Sequence, residues 1–179
     1  MNYRVTHTET VFQGKVFAVR IDQVEKPSGE MMRVDFVEHH GAVVLIPVDD
    51  EGKIWFVQQY RHPAGKLLLE LPAGTLNPEE EPEACAVREC REEIGMSPGQ
   101  LIPLGGTFLA PGYSTEYLHF YLAKDLQRAP LTPDHDEDLN IERLTWDEAT
   151  DRIVQGELED AKSLAGLFLA RDLLNAPIE

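Results

Sequence analysis

Apolar and polar positions alternate through the first third of the chain in short runs. The runs "YRVTHTETVF", "KVFAVRIDQV", "MMRVDFVEH", "AVVLIPV" and "KIWFVQQYR" are rich in β-branched and aromatic residues and read as strands. Turn signals such as "KPSGE" and "DDEGK" separate them. "AVVLIPV" is apolar throughout, the pattern of a strand covered on both faces. The period changes at Pro82, a residue suited to the first helical position because its missing N–H would have no partner there. Val87, Cys90 and Ile94 then follow at helical spacing as a candidate inward face, and Gly95 is placed to end the helix in a left-handed conformation. Strands resume at "LIPLGGTFLA" and "STEYLHFYLA", followed by an acidic loop, "TPDHDEDLN", and a short strand, "IERLTW". Two further helices are predicted, one within "WDEATDRIVQGE" and one in "AKSLAGLFLARDLL", where Leu164, Leu167, Phe168 and Leu174 line one side. This order predicts an α/β chain with helices packed on a mixed sheet. "EHHGA" interrupts the strand run, so residues 1–38 are expected as a small separate antiparallel sheet and residues 39–179 as the main domain.

Composition narrows the function more than the fold. The chain has 179 residues, of which 42% are hydrophobic, enough for an ordinary core. Acidic residues outnumber basic ones by 32 to 16, a formal charge of −16. That balance argues against a nucleic-acid backbone or an anionic membrane as the main partner. A small phosphorylated ligand is still compatible, because a bound cation reverses the local sign. Cys85 and Cys90 stand five residues apart inside an acidic stretch, a spacing that does not favour a disulfide on a helix. Two thiols without a framework fit a reducing compartment. "MNYRVTHTET" lacks an apolar signal core, and no apolar run reaches the length of a membrane span, so a soluble cytoplasmic protein is expected.

The acidic stretch itself poses a problem. "GTLNPEEEPEACAVRECREEIGM", residues 74–96, holds seven glutamates. Glu89 and Glu93 are four residues apart, so on a helix their carboxylates leave the same face, with Glu92 at its border. Like charges at that spacing destabilise a helix. Arg88 can orient or partly neutralise Glu92 across one turn. A solvated, arginine-paired helix face is one resolution. A hard divalent cation is the other, since Mg²⁺ or Mn²⁺ takes oxygen ligands and is commonly shared with substrate phosphates.

Spacing favours the second resolution. The stretch reads Gly74, five residues, Glu80, seven residues, Arg88-Glu89-Cys90, one residue, Glu92-Glu93, one residue, Gly95-Met96. This pattern resembles the signature of the Nudix hydrolase family at every fixed position, with Cys90 where an aliphatic residue is more usual. The strands before the motif, the "LELPAG" approach and the closing helices also look like the family's α/β/α sandwich. The resemblance implies that Glu89 and Glu93 are the main metal ligands, with Glu92 auxiliary and the backbone carbonyl of Ala73 contributing. It places Arg88 and Glu92 within the catalytic set, Arg88 with Glu80 chiefly holding loop and helix together. Gly74 matches the glycine that opens the motif's loop.

The same resemblance implies Mg²⁺-dependent hydrolysis of a nucleoside diphosphate linked to another moiety. Counting back from Ile141, Glu137 in "DHDEDLNIE" matches the catalytic glutamate of related ADP-ribose hydrolases, whereas Leu139 departs from an acidic position of that loop. Pro111, sixteen residues after Gly95 in "LAPGYSTEY", looks like the marker of the ADP-ribose pyrophosphatase branch. Within that branch Gly112, Glu116 and Arg61 match substrate-contacting positions, Arg61 because a guanidinium fork suits phosphate. "MMRVDFVEHHGA" resembles a strand contributed across a two-fold homodimer, which would carry Arg33 and Asp35 to the nucleobase region of the neighbouring subunit's site. The histidines show no metal-ligand spacing and read as structural. ADP-ribose, cleaved to AMP and ribose 5-phosphate, is therefore the expected substrate. Alternatives are GDP-mannose or another nucleoside diphosphate sugar, and a non-catalytic module that only binds ADP-ribose.

Overall fold

The computed structural model describes residues 2–132 and 139–174, in two compact units that are taken in turn. The first unit comprises residues 1–41 together with 108–117. Its sheet is an antiparallel meander of β1 (Arg4–Gln13), β2 (Phe17–Glu25) and β3 (Met31–His39). "KPSGE" makes the turn between β2 and β3: the Lys26 N–H donates to the Glu30 carbonyl, and the Gly29 N–H donates to the Lys26 carbonyl. The segment 110–116 is tied to β3 by backbone bonds, Val37 N–H to the Tyr113 carbonyl at 2.8 Å and Thr115 N–H to the Val37 carbonyl at 3.0 Å. Thr115 Oγ1 adds a donor to the His39 carbonyl and accepts from its N–H.

The second unit, residues 42–107 and 118–179, carries the main sheets. β4 (Ala42–Pro47) and β9 (Tyr117–Arg128) run parallel, β7 (Ala73–Thr75) is antiparallel to β4, and β8 (Met96–Phe108) borders β9. A three-stranded antiparallel sheet has the order β10 (Asn140–Leu144), β5 (Ile54–Arg61), β6 (Lys66–Glu70). The period of two along β4 fills both sides of its sheet. Val44 and Ile46 enter one core with Leu118, Phe120, Leu122 and Leu167, whereas Val43 and Leu45 enter the other with Tyr121, Cys85 and Cys90. Helix α1 (Pro82–Glu93) packs on β4 and β7, and α3 (Ala161–Leu174) packs on β4 through the opposite core. The mixed sheet between helices expected from the sequence is present. Helix α2 (Trp146–Val154) opens with a capping box, Thr145 and Glu148 each accepting from the other's backbone N–H.

Three local expectations need correction. Strand β8 begins at Met96, five residues before the expected start, and runs through Pro98 and Gly99. It lies at the edge of its sheet, where a proline's missing N–H does no harm. On α1, Val87 is only half-buried, and the buried set is Cys85, Ala86, Glu89, Cys90 and Glu93. On α3, Phe168 is 68% exposed, because the packed face is made by Ser163, Gly166, Leu167 and Ala170. The short strands β6 and β7 and the 3₁₀ turn His62–Ala64 were not foreseen either.

Candidate active site

The buried stripe of α1 is unusual in its chemistry. Ala86, Glu89, Cys90 and Glu93 follow the i, i+3, i+4, i+7 rhythm of a core-facing helix, yet two of the four are glutamates. Glu89 is 7% exposed and Glu93 6%. A carboxylate so far from water must be hydrogen-bonded and charge-compensated. Glu93 Oε2 accepts from the Ala73 N–H at 2.9 Å, so β7 supplies one partner. Glu89 occupies the space above the next residue of β7. A Cβ built on Gly74 would fall 1.8 Å from the Glu89 carboxyl carbon. Glycine at position 74 is therefore what lets this carboxylate lie against the strand. Gly95, with φ of 70°, ends the segment after α1 in the left-handed conformation expected.

Arg88 is the counter-charge. Its Nε and Nη2 grip Glu80 at 2.8 and 2.9 Å, and its Nη1 donates to Glu89 at 2.5 Å and to Glu92 at 2.9 Å. Nη2 also reaches the Thr75 carbonyl at 3.3 Å. One guanidinium thus faces three carboxylates and ties the loop to the helix, as the motif implied. The bond from Arg88, aided by the Asn77 N–H, holds the Glu80 carboxyl down at about 2. The same bond holds Arg88 well above its ordinary value. Burial pushes the thiols of Cys85 and Cys90 up to about 12, which disfavours the nucleophilic thiolate.

Among the described residues, no three His, Cys, Asp or Glu side chains converge into a ready-made cation cage. That is consistent with a hard cation held by one or two carboxylates and completed by water and phosphate oxygens. Glu89 and Glu93, four residues apart, buried and all-oxygen, suit such an ion; a soft or thiolate-seeking metal would find no partner in them.

A second charged group lies in the same unit. Arg61, near the end of β5, donates through Nε and Nη2 to the two oxygens of Glu70 at 2.8 and 2.7 Å. Lys162, in the first turn of α3, also donates to Glu70, and to Asp160 at 2.9 Å. Asp160 in turn accepts from the backbone N–H and hydroxyl of Ser163, whose Oγ accepts from the Leu71 N–H at 2.7 Å. Burial alone would raise the Glu70 pKa, but Arg61 and Lys162 together bring it below the ordinary value. Arg61 is raised, first by its hydrogen bond to Glu70 and further by the charges of Glu70, Glu93 and Asp160. Glu70 and Lys162 were not singled out from the sequence. The available signal was one acid inside the apolar run "LLLELP".

Of the sequence-derived candidates, Arg61, Ala73, Arg88, Glu89, Glu92 and Glu93 fall in the second unit. Arg33, Asp35, Gly112 and Glu116 fall in the first. Arg33 and Asp35 pair with each other at 2.8 Å, both exposed on β3. Gly112 borders open space, and the Glu116 N–H donates to Ser114 Oγ. Glu137 lies outside the described residues. The chain leading toward it is held at the end of α1, where the Ala129 N–H donates to the Gly95 carbonyl and the Leu131 N–H to the Arg91 carbonyl.

An α/β/α sandwich with paired glutamates on its first helix defines a Nudix hydrolase, and the chain belongs to that family: the model of the NUDIX domain matches residues 38–167. The chain is 37% identical over 171 residues to the ADP-ribose pyrophosphatase of Mycobacterium tuberculosis (strain ATCC 25618 / H37Rv), covering 93% of this chain and 82% of that protein. It is 37% identical over 159 residues to the methanol dehydrogenase activator of Bacillus methanolicus, covering 88% of this chain and 86% of that one. A crystal structure described as an ADP compounds hydrolase superposes with a TM-score of 0.84 at 24% identity, covering 97% of this chain and 95% of that chain, which is a likeness of fold.

Proposed function

We propose that the protein hydrolyses the pyrophosphate bond of ADP-ribose to AMP and ribose 5-phosphate, using a divalent cation, Mg²⁺ with Mn²⁺ as a substitute. The observation that carries this reading is the pair of buried carboxylates, Glu89 and Glu93, on the face of α1 that lies against β7. Its substrate rests on the 37% identity to a relative named for ADP-ribose. Glu89, Glu93 and the Ala73 carbonyl would hold the cation, with Glu92 as auxiliary. When bound, that ion offsets the charge of the diphosphate and makes a water molecule more acidic.

The remaining roles belong to the chain's own groups. Arg88 orients Glu89 and Glu92 through charge-assisted hydrogen bonds. Arg61 supplies a guanidinium to the diphosphate or terminal ribose. Glu137 takes the proton from the attacking water, a role that rests on the resemblance of its acidic loop. Gly112 and Glu116 contact substrate, and Arg33 with Asp35 reaches the base from a second copy in a homodimer. No helix of the described residues is long and apolar enough to cross a membrane, and we place the enzyme in the cytoplasm.

The test is a panel of ADP-ribose, GDP-mannose and UDP-glucose with Mg²⁺ or Mn²⁺, compared by kcat/KM with products identified. ADP-ribose should lead and yield AMP. Preference for GDP-mannose would move the protein to the sugar-nucleotide branch. Tight ADP-ribose binding without cleavage would make it a sensor.

A further inference from the structure

Glu70 is an acid in the wrong place for a surface charge. It is 1% exposed, ends β6 beside Leu69 and Leu71 of the core, and still carries a full set of ionic partners. Its strongest partner, Arg61, faces outward: the Arg61 side chain is 39% exposed and that of Glu70 2%. The two are joined edge to edge through Nε and Nη2, so the third guanidinium nitrogen, Nη1, is the one outside the pair. A guanidinium held by two parallel bonds to a buried carboxylate has lost both its rotation and its sway.

We propose that Glu70 is the positioning residue for Arg61, fixing its guanidinium so that the free edge meets the diphosphate-containing substrate; this rests on the function proposed above. Lys162 is the second half of the device. A carboxylate paired with Arg61 alone would cancel the charge that attracts phosphate. Lys162 shares Glu70 and is in turn shared with Asp160, so Arg61 is one of two bases on that carboxylate and keeps an N–H edge for the ligand. The anchor is itself anchored, because Asp160 holds both Lys162 and the first turn of α3, and Ser163 links that turn to Leu71, next to Glu70. The charge of Glu93 is among those that raise Arg61.

The experiment uses the full chain with ADP-ribose and saturating Mg²⁺, reading KM and kcat separately for Glu70→Gln, Arg61→Ala and the double variant. Glu70→Gln should raise KM about tenfold or more with kcat changed far less, since misplaced binding groups lose affinity steeply with small displacements. The double variant should have the KM of Arg61→Ala, because Glu70 acts through Arg61. A purely structural Glu70 would instead lower the active fraction and the Tm, leave KM at the parent value, and add to Arg61→Ala. Arg61→Lys covers the case in which Glu70→Gln does not fold. It keeps the charge but cannot form the two-point grip, so its KM should match Arg61→Ala, and a KM near the parent's would overturn the proposal. If the parent cleaves ADP-ribose yet these variants keep its KM, positioning by Glu70 is wrong and the function stands. If the parent cleaves none of the nucleoside diphosphates, both fall together.

Discussion

Two groups of charges sit in the second unit, and their arithmetic differs. Around Arg88 there are Glu80, Glu89 and Glu92, with Glu93 one turn along the same helix: one base among four acids. Around Glu70 there are Arg61, Lys162 and Asp160: two bases and two acids. Both groups contain carboxylates buried below a tenth exposure, so burial does not distinguish them. Balance does. The second group is complete as it stands and can hold a shape. The first is several positive charges short, the imbalance that the divalent cation proposed above would offset. On the roles proposed above, net charge within a buried cluster would separate a site that needs a partner from one that positions a side chain.

The largest effect should come from Glu93→Gln. The amide keeps the volume and can still accept from the Ala73 N–H, so the fold should persist by circular dichroism. Hydrolysis of ADP-ribose should fall by about a thousandfold or more, roughly 4 kcal/mol of transition-state stabilisation. Turnover near the parent rate in a folded variant would show that the unbalanced group is not the reacting centre.

Next in size is the removal of the single base. Arg88→Met should destabilise the metal-free protein by about 2–3 kcal/mol, since it leaves Glu80, Glu89 and Glu92 without their shared partner. Titrating Mg²⁺ in a thermal melt should return part of that loss in the variant and do less for the parent. Lys162→Met should show no such recovery with Mg²⁺. Equal recovery in both variants would erase the contrast between the clusters.

A smaller effect isolates the loop-to-helix tie. Glu80 is depressed from an ordinary value of 4.5 to about 2 by its bonds from Arg88 and the Asn77 N–H. Stability from this group is therefore complete above about pH 4.5 and is lost as pH falls toward 2. Glu80→Gln should be about 1 kcal/mol less stable than the parent at neutral pH. That gap should close on acidification through this window. A gap that stays constant down to pH 2 would mean Glu80 is held by shape and not by charge.

Much of the first group could be read from the sequence and almost none of the second. The motif lies within residues 74–96, and its partners meet across one or two helical turns or a short loop, so linear spacing already encodes their geometry. Glu70 meets Arg61 nine residues away across a strand pair and Lys162 ninety-two residues away, a contact that exists only once α3 has packed. The same limit explains the helix faces. Reading α1 by apolar periodicity selected Val87, because a buried glutamate looks like a surface residue until its partners are known. Hydrophobicity alone places Phe168 inward, whereas Gly166 and Ala170 let α3 approach β4 on the other side. Strands β1 to β5 were legible because each carries its own period of two or an unbroken apolar run.

The smallest expected effect lies at the rim of the balanced group, where Lys66 of β6 pairs with Glu159 just before α3. This pair joins the same two elements as Lys162 and Glu70 and uses the same two residue types. Its side chains are 51% and 46% exposed, against 15% and 2% for the inner pair. Water already solvates both outer charges, so their attraction is screened and offset by the entropy of holding two long side chains. Glu159→Gln should therefore shift stability by less than about 0.5 kcal/mol and leave the KM for ADP-ribose unchanged. Lys162→Met, which strips one of two bases from a carboxylate that water cannot reach, should cost several times more. If the two substitutions had equal effects in denaturant melts, exposure would not be what ranks these pairs, and the weight given above to the buried balance of Glu70 would be misplaced.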